Sequence, residues 1–318
     1  MKITNGIRIA TANKMLCAKT LIARLVVTII MIVTILGFAK IVIMPIIKSE
    51  ELKQLLQLFR EAIKRFILIE GESGANLDFK TAISNVLQLV YSKITSIIWV
   101  SIAIFILVQL MRFIFAIFDF IIGVNISEHM SSMRHAGFFN TLFENFKNAC
   151  RYGLAKILFL FVYDTLVITI IILLFIALIG ELGIHTLSLV MFLAVLAVAA
   201  RLAVGGQVLP KIVCENKKPF IAFKESIKES NFSLFIQRVM SYFITSVATI
   251  VVVVLSSIVT FNVSYLITLP LSTVIFITLR FVDYYTINHK KYYVTFDNVV
   301  IPKELRQNDE HLLNDVDI

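Results

Sequence analysis

Charge is scarce in this sequence, and so are the residues that usually announce chemistry. Only 16% of the 318 residues are charged, against about 25% in a typical soluble domain. Cys17, Cys150 and Cys214 are scattered, and no C-x-x-C spacing marks a zinc site. No P-loop, no G-x-S-x-G and no H-E-x-x-H occurs, so the easily recognised ATPase, hydrolase and zinc-protease signatures are missing. The expectation is a protein that is not an enzyme and holds no cofactor.

Apolar residues fill the space that charge leaves. They make up 58% of the chain, against about 45–50% in soluble proteins, and the mean hydropathy is +0.89. The solvent of such a chain is lipid. A spanning helix needs about 20 largely apolar residues, and six such spans can be drawn, at about 25–45, 94–118, 157–179, 186–208, 239–259 and 264–282. The expected fold is all-α: residues 1–318 form a single polytopic membrane domain with about six transmembrane helices, interfacial amphipathic helices and an extracytoplasmic helical hairpin. The first span follows Lys2, Arg8, Lys14, Lys19 and Arg24 and is too long for a cleaved signal core, so it reads as a signal anchor.

The net charge of +9 is not a nucleic-acid footprint, because the Lys and Arg residues sit beside the apolar runs. They sort by side instead. Twenty-two of the thirty fall on one side of the six-span map and eight on the other. The positive-inside rule then places both termini in the cytoplasm of a cell-membrane protein. The tail 284–318 is expected to be cytoplasmic as well.

The eight remaining basic residues lie almost entirely in 48–93. There Leu52, Leu55, Leu56, Phe59, Ile63, Phe66 and Ile67 form one helical stripe, and Phe79, Ala82, Ile83, Val86, Leu87, Val90 and Tyr91 form another beyond "EGESGAN". This is the expected extracytoplasmic hairpin. Its stripes can pack on each other, lie on the outer leaflet or meet a protein partner; the lipid bilayer is the other partner, and nucleic acid is not expected.

Two segments interrupt the apolar pattern in a similar way. "GFFNTLFENFKNACRYGLAK" at 137–156 and "PFIAFKESIKESNFSLFIQR" at 219–238 align with an offset of 81, matching Phe139, Glu144 and Lys147 to Phe220, Glu225 and Lys228. Each precedes a span, so 137–179 and 219–259 read as a repeat of amphipathic helix plus span. In the second copy Phe220, Phe223 and Ile227 are expected in the membrane interface, with Lys224 and Lys228 toward headgroups or water.

The stretch "LPKIVCENKKPFIAFKESIKESNF", residues 209–232, carries Pro210, Glu215, Ala222, Ser226, Asn231 and Phe232. In this order it resembles a loose group of bacterial six-helix membrane proteins related to the membrane region of glycerophosphodiester phosphodiesterases. The resemblance covers about 120–240. It implies an integral-membrane fold and brings no catalytic residues, because the phosphodiesterase barrel has no counterpart here.

Three smaller features complete the reading. "HMSSMRH" at 129–135 groups His129, Met130, Met133 and His135, all soft-metal ligands by type, but Arg134 sits among them and a loop before an interfacial helix is the expectation. Gly205 and Gly206 are expected to permit a kink or close helix packing near the end of span four. Asp164 reads as the single acid inside a span, where a central Asp costs about 2.5–3.5 kcal/mol on insertion scales, and Arg201 on the next span is its expected partner. The function expected is an accessory or organising component of an envelope process, with a transporter or permease of a small or lipidic solute as the alternative.

Overall fold

The computed structural model describes residues 2–48, 94–133, 137–182, 185–228, 231–260, 264–295 and 298–301, with scattered positions between 50 and 91. The hairpin expected over 48–93 lies outside the described residues, and so do His135 and the end of the tail. The chain divides into two compact units, residues 1–26 with 112–318, and residues 27–111.

Helices account for nearly all of the described chain: α1 (Lys2–Ala12), α2 (Lys14–Ile47), α3 (Ile94–Ser132), α4 (Phe138–Leu182), α5 (His185–Val204), α6 (Val208–Glu215), α7 (Pro219–Lys228), α8 (Phe232–Thr260) and α9 (Tyr265–Ile287). A two-stranded antiparallel ribbon, β1 (Tyr292–Thr295) and β2 (Asn298–Val300), follows. Among the described residues six segments are long and apolar enough to cross a membrane: Lys14–Phe38, Ile98–Ser132, Phe138–Leu178, Ser188–Glu215, Phe232–Thr260 and Ile267–Ile287. The protein is an all-α, multi-pass membrane protein.

The surface of these helices is what lipid requires. Along α4, Leu158, Val162, Leu166, Ile170 and Leu173 are all more than half exposed. In water each would forfeit the roughly 1.5–3 kcal/mol that burial of such a side chain contributes. In a bilayer the hydrocarbon covers them, and the helix satisfies its own backbone groups. In the smaller unit, α2 and α3 present Ile30, Val33, Leu36 and Ile106 in the same way.

The larger unit has a protein core at one end. Ile9 of α1, Ile121, Ile122 and Ile126 of α3, Leu209 of α6, Phe281 and Tyr284 of α9 and Val294 of β1 are buried there together. α1 packs on α9 and on β1. The close approach to α9 depends on Gly6, because a Cβ there would stand 2.7 Å from Leu279 Cδ2. Asn5 of α1 also donates a hydrogen bond to the Tyr292 hydroxyl at 3.0 Å.

Several expectations are corrected here. The N-terminal basic flank is not merely a leader to the first span; it folds as α1 and enters the core. Nor is 284–318 simply a tail, since Tyr284, Tyr285, Tyr292 and Val294 are buried. Residues 129–132 continue α3 rather than forming a loop, with His129 and Met130 buried. The two copies of the proposed repeat differ. In the first, the amphipathic segment and the span are one helix, α4; in the second, α7 ends at Lys228 and α8 begins at Phe232.

The Gly205–Gly206 pair forms the turn between α5 and α6. A Cβ on Gly206 would lie 3.2 Å from the Leu202 carbonyl and 3.2 Å from the Tyr242 hydroxyl, so the absence of a side chain lets the turn press against α8. Pro210 then sits in the first turn of α6, where its missing N–H breaks no helical bond.

Candidate functional site

Three aspartates lie inside the span helices, where the sequence pointed to one. The spans drawn from hydropathy stop at residues 118 and 282, one residue short of Asp119 and Asp283. In the structure α3 and α9 run on through both. The correction has a physical basis: a window score falls when it meets a charge, but a helix does not end there if the charge is neutralised by a neighbour.

Each aspartate is bracketed by two cations from other helices. Asp119 of α3 receives Arg24 of α2 on one carboxylate oxygen and Lys156 of α4 on the other. The Arg24 and Asp119 side chains are 9% and 8% exposed. Arg24 also donates to Thr273 Oγ1 of α9 at 2.8 Å and lies 5.0 Å over the Phe115 ring. Buried Arg280 adds another positive charge within electrostatic reach of Asp119. Four helices thus converge on one carboxylate, and positive charge exceeds negative there.

Asp164 of α4 is joined to Arg201 of α5 at 2.9 Å and to Arg112 of α3 at 3.2 Å. The structure therefore brings Asp164 and Arg201 together and adds Arg112 to them. Between α3 and α4 the charges form a reciprocal ladder: Arg112 of α3 meets Asp164 of α4, while Asp119 of α3 meets Lys156 of α4. The separations along the two helices, about 10 Å and about 12 Å at 1.5 Å per residue, suit an antiparallel pair. Phe113 against Gly153 and Phe120 against Tyr152 fill the space around the rungs.

Asp283 of α9 closes the third group. Arg238 Nε of α8 donates to it at 2.8 Å, Gln207 Nε2 at 2.9 Å and Lys2 Nζ of α1 at 2.6 Å. The N-terminal helix, the α5–α6 turn and α8 are all tied to α9 through this carboxylate.

A more exposed cluster fixes the turn between α6 and α7. Lys217 bridges Glu215 at 2.7 Å and Glu225, and Glu225 also faces Lys211 at 3.4 Å. The hydrogen bond from Lys217 holds the Glu225 carboxyl below the usual carboxylate range, and the same contacts raise the Lys217 ammonium. The Tyr284 hydroxyl donates to Glu215 at 2.6 Å, which links the turn to α9.

On α7, Ala222 and Ser226 form the buried face, and Ser226 donates to the Val204 carbonyl at 2.9 Å. Phe223 is half-buried and packs on Phe159 of α4, ring centroids 5.0 Å apart. Phe220, Lys224, Ile227 and Lys228 are exposed. The pattern that resembled the six-helix group thus has local structural roles: Glu215 ties α6 to α9, while Ala222 and Ser226 seat α7.

Among the described residues no group of three or more His, Cys, Asp or Glu side chains is arranged to hold a metal ion. Compared with protein-family models, curated proteins and solved structures, the chain matches none.

Proposed function

We propose that the protein is a non-catalytic component of the cell membrane, with both termini in the cytoplasm, that organises or assists an envelope process through a partner. The observation that carries this reading is the closure of the intramembrane acids: Asp119, Asp164 and Asp283 are each tied to two cations on other helices. Paired in this way, the charges fasten helices to one another. The resemblance of 120–240 to membrane modules without catalytic residues supports the same reading, and the two amphipathic stripes of 48–93 support that segment as the partner contact.

A transporter of an anionic or lipidic solute is the second reading. It is favoured by the excess of positive charge where Arg24, Lys156 and Arg280 surround Asp119.

Cysteine accessibility separates the two. Ser246 of α8 and Thr278 of α9 are buried inside the bundle. In a variant with Cys17, Cys150 and Cys214 replaced by Ser, Ser246→Cys and Thr278→Cys should resist a small charged thiol reagent from either membrane face. Reaction from both faces, with the protein otherwise folded, is the signature of alternating access and would sink the accessory reading.

A further inference from the structure

A cavity of about 450 Å³ opens beside the short turn between α1 and α2. Its lining combines Asn13, Lys14 and Lys19 with Asn125 of α3 and with Gly137 and Phe138 at the start of α4. Among the described residues no acidic side chain contributes to this lining. Neither lysine is ion-paired to another described residue, in contrast to the cations of the bundle, which face carboxylates.

Three features of the wall point to one kind of ligand. The two lysines supply positive charge without a counter-ion. The start of α4 adds to it: Thr141 donates back to the Gly137 carbonyl at 2.9 Å, and the first turn of a helix carries the positive end of the dipole. Asn13 and Asn125, each 6% exposed, complete a polar wall. Each amide nitrogen donates to the carbonyl four residues earlier, Ile9 and Ile121, both at 2.9 Å.

The cavity lies at the starts of α2 and α4 and beside α3, beyond the ends of the apolar runs 25–45, 94–118 and 157–179. Apolar side chains adjoin the charge: Met15 is 73% exposed, and Phe139, in edge contact with Phe138 at 5.6 Å, is 62% exposed. Binding pockets for small ligands run from about 300 to 1,000 Å³, so the volume suits a glycerophosphate-sized group.

We propose that this cavity binds a phosphate monoester or diester, presented as the headgroup of an anionic lipid or as a free phosphate ester. The site is independent of the accessory reading, since neither the ion-paired aspartates nor a protein partner takes part in it.

The test uses the full-length protein in neutral detergent, with lipid retention read by native mass spectrometry. Phosphatidylglycerol should be retained over phosphatidylcholine, and Lys14→Gln with Lys19→Gln should weaken that preference about 30-fold, a factor of about five for each lysine beside an anionic headgroup. Lys14→Arg with Lys19→Arg should keep it. Lys147→Gln with Arg151→Gln removes two exposed cations of α4 outside the cavity lining and should leave it unchanged.

sn-Glycerol 3-phosphate, added alone and as a competitor, distinguishes the sources. Retention of phosphatidylglycerol that the soluble ester does not displace identifies a lipid headgroup, whereas lysine-dependent binding of the soluble ester without lipid preference identifies a free ester. Equal retention of the two lipids together with no binding of the soluble ester overturns the proposal. So does an equal loss in the Lys147 and Arg151 control.

Discussion

Replacing Asp119 with Asn should destabilise this protein more than any other single carboxylate change in the spans. The substitution keeps the shape and removes the charge, leaving Arg24, Lys156 and nearby Arg280 without a counter-ion in a site where Asp119 and Arg24 are less than a tenth exposed. Breaking a buried ion pair by removing one partner costs about 3–5 kcal/mol. At roughly 2–4 °C per kcal/mol, the melting midpoint should fall on the order of 10 °C. Asp164→Asn should cost less, because Arg201 and Arg112 are 29% and 35% exposed and, once unpaired, their long side chains can extend toward the headgroups, whereas Arg24 beside Asp119 is 9% exposed. The assay is retention of the monodisperse size-exclusion peak after heating in detergent. A second variant, Asp119→Leu with Arg24→Met and Lys156→Met, removes the carboxylate with both of its paired cations, leaving Arg280, and should recover part of the loss, since buried pairs exchanged for apolar side chains are often neutral. If Asp119→Asn melts within about 2 °C of the unaltered protein, or the triple variant melts as low as Asp119→Asn, the bracketed carboxylate does not fasten the helices.

Exchanging charge across one pair, Asp164→Arg with Arg201→Asp, should restore part of the thermal stability lost in either single change if the pair is structural, and most of it when Arg112→Gln removes the arginine that also faces position 164; loss of function at full stability would mark a relay instead. Gly6→Ala should lower the melting midpoint, because the added Cβ would meet Leu279 at 2.7 Å, and the loss should be smaller when measured in a Leu279→Ala background; an equal loss in both backgrounds would show that α1 does not depend on that approach. Glu225 is held below its ordinary value by Lys217, so its tie is complete at neutral pH and is lost as pH falls through the depressed folded value; amide exchange in α7 should rise only under acid, and Glu225→Gln should abolish that pH dependence. Single cysteines at Ser73 and Asn308 in a cysteine-free variant should label oppositely with an impermeant reagent in intact cells, and labelling of Asn308 from outside would overturn the orientation.

Much of the fold was legible because the dominant signal is additive. Apolar runs sum over a window, so all six spans could be found without knowing which helix touches which. The site was less legible because charge inside a span lowers the same sum. Asp119 and Asp283 were left just beyond the drawn spans for that reason, although the spacing of Arg112 and Asp119 against Lys156 and Asp164 is visible in the chain. Reading it as a ladder requires knowing that α3 and α4 face one another. Asp164 and Arg201 were easier, because the acid stands well inside its run and the next span has one arginine near its end.

The sequence by itself determined the solvent and the six spans: an 18- to 20-residue apolar helix satisfies its own backbone in lipid whatever its neighbours do. Tertiary structure decided where the charges go. α1 reads in the sequence as a basic flank, yet it is built into the core because Gly6 admits Leu279 and Asp283 receives Lys2 from it. The Phe residues of α7 have similar hydropathy, yet Phe223 packs on Phe159 while Phe220 stays exposed. Hydrophobicity is non-directional and fixes the medium of each helix; ion pairs and close packing act over a few ångströms, so only the folded arrangement assigns their partners.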